Sequence, residues 1–221
     1  MNRQLLFAVS MVLCSSLAAA VPATVPAPGP DGLVAVDSRQ LDQVYLRPAA
    51  DWTSYRKVMI DPVQVTMKKN WLRDQNSSRD LSRRLTPDVV DAIVAQATAS
   101  MTEQVAATFV AKGFAITTVA GPGVMLLTPA VTDLDVYEPD ATSSRPDALF
   151  TRDTAGLATL SLEARDAVTG ALLGVVVDRG TATHVQTFSR ATKTSNQFWF
   201  DAMFRQWASF CVAELRIPRA P

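Results

Sequence analysis

Residues 155–178 read AGLATLSLEARDAVTGALLGVVVD, and the rest of the chain is placed relative to them. Ala158, Leu160, Leu162 and Ala164 alternate with Thr159, Ser161, Glu163 and Arg165, the two-residue period of a strand with one wet face. Asp166 to Gly170 ends in Thr-Gly, where glycine supplies the positive φ of a hairpin turn. The chain returns through Leu172, Leu173, Val175, Val176 and Val177, a β-branched and almost wholly apolar run that suits an inner strand. The hairpin is a scaffold with no chemistry of its own.

Outward from it, the amino terminus reads as an export signal over residues 1–20. Arg3 gives the positive start, Leu5 to Leu13 the apolar stretch, and Ala18-Ala19-Ala20 a small-residue cleavage site. That apolar run is too short to span a bilayer as a helix, and no later stretch reaches its length. Cys14 opens the alternative of a lipidated cysteine, although Leu13 stands where a small residue is required. Cleavage after Ala20 leaves about 200 of the 221 residues, enough for one domain with a proper core. Cys211 is then the sole remaining cysteine, so the fold relies on its core and not on an internal disulfide.

The 21 basic residues, less Arg3, stand against 21 acidic ones. Near-neutrality argues against broad electrostatic capture of nucleic acid or an anionic membrane, so a charge-driven partner needs a local patch. Residues 21–42 begin with Pro22, Pro26, Pro28 and Pro30 and are expected to form an extended tether. The expected single domain occupies residues 43–217.

Val44 to Leu46 suggests a short strand. Lys57 to Lys68 suggests a longer one interrupted at Pro62, which demands a bulge or an edge. Thr86-Pro87-Asp88 opens a helix, with Thr86 as cap and Pro87 in the first turn. Val90, Ile93, Val94, Ala97, Met101, Val105 and Phe109 then recur at three and four residues down to Gly113. Phe114 to Ala120 and Val124 to Tyr137 are expected strands, as is Thr181 to Phe188. A last helix, capped by Ser195 and running from Asn196 to Leu215, carries Phe200, Met203, Phe204, Trp207, Phe210 and Cys211 on one broad face. Successive strands without long crossovers imply an α+β two-layer sandwich, a mixed and mostly antiparallel sheet with both helices on one face.

Candidate sites are few. Between Lys68 and Leu85 the pattern lapses, and Lys68, Lys69, Arg73, Arg79, Arg83 and Arg84 outnumber Asp74 and Asp80, with Trp71 interleaved. Such a loop, with an exposed tryptophan, suits an envelope protein, a glycan or a lipid headgroup bearing negative charge; the alternative is a solvated loop whose Trp71 tucks back onto the domain. Asp133 and Asp135, two apart on a strand, are expected on one face, where they are weak candidates for a divalent cation. His184 is the only histidine and would complete a hydrolase or metal-dependent site with them. There is no G-x-S-x-G elbow, no metal-ligand spacing and no phosphate-cradling glycine loop, so no cofactor is expected and a non-catalytic binding or scaffolding module is the preferred reading. A carrier of small ligands or lipids would need an apolar cavity between helices and sheet.

The run Trp52-Thr53-Ser54-Tyr55-Arg56-Lys57-Val58-Met59-Ile60-Asp61-Pro62-Val63 resembles the opening signature of the bacterial domain-of-unknown-function family 3313. Thr132-Asp133-Leu134-Asp135-Val136 and Arg165 to Leu173 resemble its later blocks, so the likeness extends from about Tyr45 to Leu215. It implies an exported envelope protein, often lipidated, and brings with it no activity, cofactor or catalytic residue.

Overall fold

The computed structural model describes residues 29–137, 154–183 and 193–215. Its hairpin is formed by β7 (Thr154–Asp166) and β8 (Leu172–Thr183), antiparallel and bulged near each end. Asp166 builds the turn: its carboxylate accepts from the Val168 and Thr169 amides and from the Thr169 hydroxyl, while Gly170 takes φ 71°. These bonds, led by the Thr169 amide, hold the Asp166 carboxyl below its ordinary value. The return strand continues without a break to Thr183, so the separate strand expected from Thr181 is instead the end of β8. Residues 184–188 lie outside the described residues.

The earlier strands are β1 (Val34–Val36), β2 (Gln43–Leu46), β3 (Lys57–Ile60), β4 (Gln64–Met67), β5 (Ala115–Ile116) and β6 (Val124–Val136). The sheet order is β1-β2-β8-β7-β6-β3-β5, with β4 also paired to β6. The pairs from β1 through β6 along that path are antiparallel, whereas β3, β4 and β5 join in parallel. Pro62 divides what the sequence presents as one strand. Asp61 still donates its amide to Leu127, proline has no N–H to follow, and pairing resumes at Gln64 opposite Ala130.

Two expectations need correction here. The tether does not extend to residue 42, because β1 pairs with β2 and Leu33 and Leu41 are buried. Ser38 donates to Glu214 at 2.7 Å, and Asp42 donates its amide to Asp178 at 3.0 Å, fastening this segment to the core. The strand expected from Phe114 to Ala120 shrinks to two exposed residues at the sheet edge. The Thr117 hydroxyl accepts from the Val119 amide and turns the chain away.

Two long helices cover one face of the sheet. α2 (Pro87–Ala111) lies over β3, β4 and β5, α3 (Lys193–Glu214) over β7 and β8, and the two helices touch. Pro87 stands at the start of α2 as expected, but the Thr86 side chain makes no capping bond. Gly113, at φ 90°, reverses the chain so that Phe114 meets Phe109 edge-on at 5.6 Å. Ala97, Met101, Val105 and Phe109 are buried, as are Phe200, Met203, Phe204, Trp207, Cys211 and Leu215. α3 comes so close to the hairpin that a Cβ on Gly180 would stand 2.5 Å from Trp207 and 2.9 Å from Met203 Sδ. At the centre of this contact the Trp207 indole donates to buried Asp178 at 2.6 Å. Burial pushes the Cys211 thiol far up, so it is an inert member of the core.

Candidate partner-binding surface

The basic segment leaves the end of β4 and divides into an inward and an outward half. The inward half begins with Lys68, whose Nζ meets Asp135 Oδ2 at 2.6 Å; that hydrogen bond raises the lysine's pKa above its ordinary value. Asn70 takes a left-handed turn, φ 62°, into α1 (Trp71–Asn76). This turn drives Trp71 into the core, where it is 3% exposed and its indole donates to the Val136 carbonyl at 3.1 Å. Trp71 is therefore struck from the surface candidates, and Lys68 is engaged by Asp135.

The outward half is a loop closed at its base. The Asn76 side chain donates to the Leu85 carbonyl at 2.9 Å and accepts from the Leu85 amide at 2.8 Å. Leu85 itself is buried. Residues 77–84 are thus held as a compact loop with a 3-10 turn at Leu81–Arg83. Arg79 is half-buried and donates Nε to the Gln75 carbonyl at 3.0 Å. Arg83 pairs with Asp80 at 2.6 Å and Arg73 with Asp74 at 2.8 Å, both pairs exposed. Lys69 and Arg84 are exposed as well. Of the sequence candidates, then, Lys69, Arg73, Arg83 and Arg84 face solvent, Arg79 is half-buried, and Lys68 is exposed but tied to Asp135. Leu81 stands beside them, 80% exposed, a residue that no periodicity singles out.

Asp133 and Asp135 are not the equivalent pair that their spacing implies. The register between β6 and β7 shifts between Thr132 and Asp135, and Asp133 takes φ 52° in that bulge. An extra residue breaks the two-residue alternation. Asp133 is exposed, while Asp135 is 7% exposed and bound to Lys68. Among the described residues no three His, Cys, Asp or Glu side chains are grouped to hold a metal ion. His184 lies outside the described residues.

Between α2 and α3, at the end of β6, lies a small cleft lined mainly by Ile93, Ala97, Leu134, Val136, Phe200 and Phe204. Ser100 donates to Asp201 at its margin. Among the described residues no helix is long and apolar enough to cross a membrane.

These features define a two-layer α+β module that presents a clamped basic loop. The family described as "Protein of unknown function (DUF3313)" matches residues 27–209, and the chain belongs to that family. The family match thus begins upstream of Tyr45 and takes in β1. Among solved structures the chain is similar to the PelC dodecamer from Paraburkholderia phytofirmans in two crystal forms, one of them a point variant. The variant form has 10% identity and a TM-score of 0.40, over 79% of this chain and 98% of that one. The other has 10% identity and a TM-score of 0.39, over 79% and 96%. A PDZ domain protein from Parabacteroides distasonis has 10% identity and a TM-score of 0.34, over 75% of this chain and 32% of that one. No curated protein matches the sequence.

Proposed function

We propose that the protein is an exported, non-catalytic binding module of the cell envelope that engages a negatively charged component through the loop at residues 69–84. The observation that carries this reading is the construction of the loop. The base of its 77–84 part is closed by the two Asn76–Leu85 bonds; Arg83 and Arg84 in that loop, and Lys69 and Arg73 ahead of it, face solvent. A preformed basic surface binds an acidic partner with little ordering cost. The Arg73–Asp74 and Arg83–Asp80 pairs are exposed, each worth about 0–1 kcal/mol, and are readily exchanged for a stronger acceptor.

Export rests on the leader at residues 1–20, and lipidation at Cys14 remains the alternative route to the membrane. The hydrolase reading with Asp133, Asp135 and His184 draws less support, since Asp135 already serves Lys68. The test replaces Arg79, Arg83 and Arg84 together by glutamate and compares crosslinked capture from cell envelopes with that of the wild type. Loss of the captured component with the fold intact supports the loop as the contact; unchanged capture removes it. Fractionation tests location, and retention of the chain in the cytoplasm would contradict the export reading.

A further inference from the structure

The loop's tip carries more than charge. Leu81 is the most exposed large hydrophobic residue among those described, at 80%, and it sits in the 3-10 turn with Arg79, Arg83 and Arg84 on either side in sequence. A lone exposed leucine needs no explanation on an ordinary surface. Here its setting differs: Asn76 clamps the loop at its base and Leu85 anchors it in the core, so the leucine is held out on a supported turn. An acidic glycan would use the arginines and gain little from that apolar tip. A bilayer interface uses both, because the phosphates meet the guanidinium groups while the side chain between them enters the boundary of the acyl region.

We infer that this loop, resting on the binding role proposed above, docks on an anionic lipid surface with Leu81 as a shallow apolar insertion and the exposed Arg83 and Arg84 on the headgroup phosphates, Arg83 exchanging Asp80 for phosphate. The chain is close to neutral overall, so the contact is local and orients the module with α1 toward the bilayer. Two weak signals, one apolar side chain and a few cations, give reversible attachment. A lipid on Cys14, or another tether, would make it lasting by raising the local concentration.

The test is co-sedimentation of the chain starting at Val21, which retains every described element, with vesicles of phosphatidylglycerol and phosphatidylcholine and with pure phosphatidylcholine. Binding is expected to the anionic vesicles alone and to weaken as salt rises. Leu81→Ser should lower the partition coefficient about tenfold, and charge reversal at Arg83 and Arg84 about a hundredfold, with thermal unfolding unchanged in both. Binding that ignores Leu81→Ser but is lost on charge reversal would overturn the insertion and leave an anion-binding loop for an acidic glycan or protein. Absence of vesicle binding, with envelope capture still lost in the triple variant, would overturn the lipid inference and leave the proposed function standing. Unchanged capture in that variant would end both.

Discussion

The α3–hairpin contact and the basic loop lie on the same framework and are built on opposite principles. Where α3 meets β7 and β8, Phe204, Trp207 and Leu215 are almost fully buried, Phe204 stacks on Trp207 at 5.8 Å, and one polar group, Asp178, receives the indole. In the loop, by contrast, one buried leucine and a two-bond amide clamp hold residues that otherwise face water. The difference teaches where change is tolerated. Apolar area stabilises the first region, so its side chains are committed; the second is held at its base and by Arg79 on the Gln75 carbonyl, and Leu81, Arg83 and Arg84 face solvent, available to a partner.

The comparison is broken or sharpened by substitutions of graded effect. Phe204→Ala should cost about 3–5 kcal/mol in urea unfolding, since the hairpin cannot collapse into the space left beneath α3. Trp207→Phe keeps most of the apolar area but removes a donor from buried Asp178, and about 1–3 kcal/mol should be lost. Asn76→Ala should cost about 1–2 kcal/mol and speed hydrogen exchange in residues 77–84 while leaving the α3 amides protected.

A pH series probes the turn at the hairpin's end, which belongs to neither region. The Asp166 carboxyl lies below its ordinary 3.8, so its stabilisation is present above that value and is lost as pH falls through the lowered pKa. Asp166→Asn should therefore lose about 1 kcal/mol at pH 7, and the gap to wild type should narrow below pH 4. Tyr55, whose hydroxyl donates to Asp166 at 2.9 Å, is pushed up to about 12 by burial and by that bond. Its contribution is complete below pH 10 and fades as pH rises toward 12, a loss that Tyr55→Phe should abolish. The smallest effect is expected from charge reversal at the solvent-facing Arg83 and Arg84, within about 0.5 kcal/mol.

Much of the fold was legible because it follows local periodicity. The alternation in residues 158–165, the Thr-Gly turn and the stripes from Val90 to Phe109 and from Phe200 to Leu215 each report burial directly. What escaped depends on partners distant in sequence. Val34–Val36 is a strand only because β2 offers it an edge, and the proline-rich start of that segment masks it. Asp133 and Asp135 keep a spacing of two, but the bulge that separates their roles is set by pairing with β7. Trp71 sits among cations in the sequence, and the left-handed Asn70 turns it inward to Val136. Leu81 carries no periodic signal, since exposure in a loop leaves no pattern.

The most direct measurement is the urea midpoint of two variants beside wild type, Phe204→Ala and the double glutamate replacement of Arg83 and Arg84. The account predicts a large fall for the first and an unchanged midpoint for the second. A double variant that unfolds with Phe204→Ala, or a silent Phe204→Ala, would contradict the division between a committed core and a solvent-facing loop tip.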